Sequence, residues 1–396
     1  MAVDNEPASS ANAREVVAEL RQRLLDRALP IEQRIRALFS LRNLKGEAPQ
    51  QALIEGMEDK SVLLAHEAAF ALGQMGDVFS VPALTRVLKD LSYHPIIRHE
   101  AAEALGAIGE ASSLPLLQTY LADPAPEVRE TCQLAVRRLQ DSLAAAEGGG
   151  KGERKGEGGA EEEKGNGEKG KGENEGEGQG EGEGKRFMSV DPAGSAPKNA
   201  STEELRKLLL QEDADMYDRY GALFALRDKA AATSNGGAGA AAAAAAGADA
   251  AAGGATAGGS SVDGGGANAA VGAIVDALET CSSALLRHEI AYVLGQLQNK
   301  TAAQALVRAL EDTSCHAMVR HEAAVALGSV ADPLALQLLR KFQKDPDPIV
   351  AESCDVALDL MQFELQPDAF QAYGAGHGQQ IRGSPQPPAV ASIINS

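Results

Sequence analysis

Four of the seven histidines in this chain are followed directly by glutamate: His66–Glu67, His99–Glu100, His288–Glu289 and His321–Glu322. Three pairs follow an arginine (Arg98, Arg287, Arg320), but the fourth follows Ala65, so the shared unit is His–Glu alone. Two imidazoles and one carboxylate, with positions left open, are the non-heme Fe(II) arrangement that activates oxygen. Four His and four Glu suffice for two such sets. Adjacent residues on a helix point about 100° apart, so each pair faces neighbouring sectors of one surface. A second helix at the usual ~8–10 Å can then complete a set around one ion. A zinc-protease helix would instead need a second His four residues after the first. Those positions hold Phe70, Glu103, Tyr292 and Val325, which excludes it.

A repeat must position these pairs. The interval from His66 to His99 equals that from His288 to His321. The same apolar pattern recurs at a slightly shorter step before His66, at RIRALFSLRNL around Ile35. It recurs at that shorter step after His99, at VRETCQLAVRRL around Glu130. In the second half the matching units are YGALFALRD around Tyr220 and VAESCDVALDL around Glu352. Each half thus has four units, and only the two inner ones carry His–Glu. Each unit reads as two helices: a marked one, such as VLLAHEAAFALGQM ending at Gly76, and one like VPALTRVLKD, where Pro82 suits the first turn. Gly73, Gly106, Gly295 and Gly328 share one position. Glycine inside a helix costs about 1 kcal/mol against alanine, and its recurrence predicts a close helix crossing. The units resemble HEAT-type repeats. The expected fold is all-α, a HEAT-repeat α-solenoid of two four-repeat halves with a pseudo-twofold relation.

The expected domains are a first half over 20–146, a low-complexity linker over 147–200, a second half over 201–365 and a tail over 366–396. The linker is Gly, Glu and Lys with almost nothing apolar, and an Ala/Gly/Ser-rich insertion at 231–270 interrupts the second half. The net charge of −19 argues against nucleic acid as a partner. The stretch 151–186 holds eleven acids and eight bases, so most of the acid excess lies elsewhere and favours a basic partner or a cationic substrate group. No apolar run approaches a membrane span, and the N-terminus does not read as a secretory or transit signal. Cys132, Cys281, Cys315 and Cys354 form no C-x-x-C pair and suit a reducing, cytoplasmic setting. Arg98, Arg287 and Arg320 read as salt-bridge residues of the repeat. His94 and His316, which share one position shortly before a pair, read as solvated loop residues, and His377 falls in the tail.

With four His–Glu pairs spaced this way in two halves, the chain resembles the deoxyhypusine hydroxylases over about 30–140 and 203–363. The resemblance implies a HEAT-repeat dyad with two Fe(II) ions between its halves and O2 as co-substrate. It implies hydroxylation of the deoxyhypusine side chain of translation initiation factor five-A, completing hypusine. It implies that His66, His99 and Glu100 hold one iron and His288, His321 and Glu322 the other. Glu67 and Glu289 would then contact the substrate amines, and a monomer would suffice. The alternatives are a non-enzymatic HEAT-repeat scaffold for a basic protein and a bilin-lyase-like repeat protein.

Overall fold

A computed structural model of the chain describes residues 8–148, 189–197, 199–244 and 264–365. Among these residues there are helices and no strands. The first half contains α1 (Ala8–Leu25), α2 (Ile31–Arg42), α3 (Glu47–Gly56), α4 (Val62–Met75), α5 (Val81–Lys89), α6 (Pro95–Ile108), α7 (Leu114–Thr119) and α8 (Pro126–Gly148). The second contains α9 (Thr202–Leu210), α10 (Met216–Ala244), α11 (Gly264–Thr280), α12 (Ala284–Leu297), α13 (Ala303–Glu311), α14 (Ala317–Val330), α15 (Ala335–Phe342) and α16 (Pro348–Leu365).

Odd and even helices pair in sequence, and the even helices stack from α2 to α8 and from α10 to α16. The two stacks also meet: α8 packs on α10 and α12, and α16 packs on α2 and α4. The even helices therefore close into a ring, with α4, α6, α12 and α14 carrying the His–Glu pairs. The two seams are made alike. Ser61, which caps α4, donates its hydroxyl to Glu352 at 2.5 Å, and Ser283, which caps α12, donates to Glu130 at 2.7 Å.

Alanine and glycine let the inner helices approach closely. A Cβ on Gly73 would lie 2.8 Å from Ala104 Cα, and one on Gly328 would lie 2.8 Å from Ala357 Cα. Gly106 meets Ala135 in the same way. At Gly73, Gly106 and Gly328 the shared glycine position is thus the point where one inner helix crosses the next.

Arginines tie the two helices of five of the eight pairs, and four of them are buried. Arg34, Arg98, Arg219 and Arg320 each donate Nε to a carbonyl at the end of the preceding helix, at Leu24, Leu88, Leu209 and Leu310. At helix ends such carbonyls have no intrahelical donor left. Three of the same guanidiniums also grip an aspartate just before the next inner helix: Arg34–Asp59, Arg98–Asp123 and Arg320–Asp345. Arg287 donates to the Leu278 carbonyl. The arginine before the His–Glu pair is therefore a repeat staple.

Three expected boundaries shift. The first half starts at α1, from Ala8, because this helix packs on α2 and α3. Helices α10 and α11 extend into the 231–270 insertion, to Ala244 and from Gly264. The linker is not featureless to residue 200: Ser189–Pro197 is placed against both halves, and Ala193 is buried. Residues 149–188 and 198 of the linker, the tail from 366 and His377 lie outside the described residues. No described helix is long and apolar enough to cross a membrane.

The Arg98–Asp123 pair is almost completely buried on both sides. Asp123→Ala strands the guanidinium, and its cost should be about 3–5 kcal/mol, read as a lower midpoint in urea. A midpoint within error of the parent would refute the stapling role.

Candidate metal centre

The four marked helices aim their histidines at one point. The His66, His99, His288 and His321 rings form one cluster. Centroid distances are 5.6 Å for His66–His99, 5.2 Å for His288–His321, 5.3 Å for His66–His321, 5.8 Å for His99–His288 and 5.9 Å for His66–His288. All four are buried, as are Glu100, Glu289 and Glu322. Glu67 is less so, with 14% of its side chain exposed.

The carboxylates sit among the rings. Glu100 Oε2 lies 3.1 Å from His66 Nε2 and 3.9 Å from His99 Nε2. Glu322 Oε2 lies 3.6 Å from His288 Nε2, and Glu67 Oε1 lies 3.5 Å from His66 Nδ1. Among the described residues, two groups of three donors converge within 4.8 Å: His66, His99 and Glu100, and separately His66, His288 and His321. The first is one of the two expected sets. The second takes His66 in place of Glu322, because the His66 ring lies 5.3 Å from His321 and 5.9 Å from His288 across the ring of helices.

Burial and mutual charge set the protonation states. His99 and His321 are pushed well below the ordinary imidazole range and His288 down to about 3, by burial first and then by neighbouring imidazoles. Burial would lower His66 as well, but the charges of Glu100 and then Glu67 outweigh it and hold His66 well above. Glu322 is pushed up to about 8 by burial and then by Glu67.

Three neutral imidazoles present free lone pairs, the state in which histidine binds metals. Among the described residues, four ring nitrogens have no hydrogen-bond partner: His99 Nε2, His288 Nε2, and His321 Nδ1 and Nε2; His66 instead lies against Glu100 and Glu67. A buried polar atom left unsatisfied costs about 1–3 kcal/mol. Four in one place, interleaved with carboxylates and with His66 beside them, fit divalent transition metal ions, which take nitrogen and oxygen donors together. Thr131 Oγ1 stands 3.5 Å from His99 Nδ1 and orients that ring so that Nε2 faces the others.

A cavity of about 570 Å3, counting the solvent at its mouth, opens onto this centre. Its walls include Glu67 and Glu289, two of the expected site residues. Sequence reasoning did not identify Phe70, Glu103, Tyr292 and Val325 as wall residues, nor the crossing segment Ser189–Pro192. The first four were in view as the positions that exclude a zinc-protease motif, and their shared register, one turn beyond each His, was the signal. His94 and His316 are exposed, and each caps its helix through Nδ1, accepting from Ile96 and Met318.

Comparison with known proteins agrees with this architecture. The HEAT repeats family model matches residues 50–137 and 271–359. Deoxyhypusine hydroxylase-B of Oryza sativa subsp. japonica is 48% identical over 350 residues, which is 88% of this chain and 93% of that protein. Deoxyhypusine hydroxylase of Arabidopsis thaliana is 47% identical over 89% of this chain and 92% of its own length. The enzyme of the same name from Gallus gallus is 39% identical, over 91% and 97%. Among solved structures, human deoxyhypusine hydroxylase in complex with glycerol superposes with a TM-score of 0.69 at 36% identity, covering 90% of this chain and 99% of that one.

Metal-stripped protein should gain thermal stability on adding Fe(II), by about 2.7 kcal/mol for each ion bound at a hundredfold excess over Kd. His99→Ala should lose the share of one ion. An equal gain in the variant would place the ion elsewhere.

Proposed function

The chain belongs to the deoxyhypusine hydroxylase family and hydroxylates deoxyhypusine to form hypusine; we propose that it does so with two Fe(II) ions and O2, on translation initiation factor five-A. The observation that carries the iron reading is the set of four ring nitrogens without hydrogen-bond partners among the described residues, beside buried carboxylates. Family membership sets aside the scaffold and the bilin-lyase-like readings.

In this proposal His66, His99 and Glu100 hold one iron, and His288, His321 and Glu322 hold the other. The convergence of the first three within 4.8 Å supports the first set, and the 3.6 Å approach of Glu322 to His288 supports the second. When bound, the irons supply the oxidising power that inserts an oxygen atom from O2 into a C–H bond. The remaining work belongs to the chain's own groups. Glu67 and Glu289 line the cavity beside the centre, where their carboxylates receive the substrate's cationic amines and place one C–H bond toward the metals. Phe70 and Tyr292, edge to face at 6.0 Å, exclude water from one side of the cavity. The even helices close their ring within one chain, which supports a working monomer. The free thiols suit the cytoplasm.

Purified protein should contain about two irons per chain. His99→Ala and His321→Ala should each abolish oxygen addition to the deoxyhypusine-bearing factor, followed by mass spectrometry of the modified peptide. Full activity in either variant, or in iron-free protein, would contradict the proposal.

A further inference from the structure

The frame around the metal centre repeats, but the cavity above it is chemically one-sided. One turn beyond each histidine stand Phe70, Glu103, Tyr292 and Val325, and all four line the same cavity. Three are aromatic or apolar; Glu103 alone is a carboxylate. It has no hydrogen bond or ion pair among the described residues. Glu289 is in the same condition although it is only 5% exposed and also lines the cavity. A buried carboxylate without a partner is strongly disfavoured unless a cation reaches it. The connecting segment adds a further acid to this cavity. Asp191 is held in place there by Arg227, whose Nη1 and Nη2 donate to its two oxygens at 2.7 Å each. Arg138 donates to the Asp191 main-chain oxygen. Equivalent glutamines of the two halves fix the adjacent residues: Gln74 accepts from Val190 N at 2.9 Å, and Gln296 donates to Ser189 Oγ at 3.0 Å.

We infer that Glu103 is a third substrate-facing carboxylate, which binds one of the two ammonium groups of the deoxyhypusine side chain and fixes the direction in which that chain lies. The inference rests on the functional reading above. Deoxyhypusine carries its two amines at different distances from the protein backbone. Glu67 and Glu289 occupy equivalent positions in the two halves, so by themselves they would accept an extended diamine in either sense. Only one sense presents the correct carbon to the metals. Glu103 has no acidic counterpart at the other three register positions, so it makes one end of the cavity the ammonium end. Glu103 acts by positioning the substrate and takes no part in oxygen chemistry.

The test compares binding of two probes to the full chain: the bis-ammonium N-methyl-1,4-diaminobutane and the mono-ammonium N-methylbutylamine. The parent protein should prefer the diamine. Glu103→Gln, which preserves side-chain size, should lose roughly tenfold to hundredfold in diamine affinity and leave the mono-amine unchanged. Its metal content and melting temperature should equal the parent's. An unchanged diamine preference, an equal loss for both probes, or loss of metal in the variant would each overturn the role. The binding measurement needs no turnover. Failure of the parent to hydroxylate deoxyhypusine would therefore sink the functional reading separately.

Discussion

Four imidazoles are withheld from water at the centre of a ring of helices, and that desolvation is the constraint on which the rest of the structure depends. It drives His288 down to about 3 and leaves ring nitrogens without hydrogen-bond partners. Alone, such a cluster would destabilise the fold. It persists because the surrounding frame is over-determined. Glycine–alanine crossings set how closely the inner helices approach, arginine staples lock five of the eight helix pairs, and serine–glutamate contacts close the two seams. A frame that holds unsatisfied donor atoms in place gives metal ions a preorganised site, at the expense of stability in their absence.

Repetition produces this geometry economically. One period places His66 and His99 on adjacent inner helices, and the same period does so for His288 and His321. The outer units carry other residues at the register of the pair, and these serve the centre from its edges. Thr131 orients His99, and Glu130 and Glu352 receive the serines that cap α12 and α4. The pairs thus sit only where two stacks face each other, in the middle of each half.

The repeat and the His–Glu register were legible in the sequence because both are local patterns that recur. The arginine staples were legible for the same reason. The wall of the cavity was less so. Glu103 reads in isolation as one more helical acid, and only its neighbours across the ring show that it faces inward. The crossing of Ser189–Pro192 was hidden altogether. Its position depends on Gln74, Arg138, Arg227 and Gln296, residues far away in sequence, while the Gly-, Glu- and Lys-rich stretch before it suggests no packing. His66 is the other surprise: its ring comes within 6 Å of His99 of its own half and of His288 and His321 of the other, which gives it access to donors of both halves and which no spacing rule could reveal.

That shared access makes the division of ligands the most direct test. Diffraction from crystals of the iron-loaded protein, recorded at the iron absorption edge, should show two anomalous peaks. One should be bonded to His66, His99 and Glu100, the other to His288, His321 and Glu322. A single peak held by His66, His288 and His321 would contradict the account.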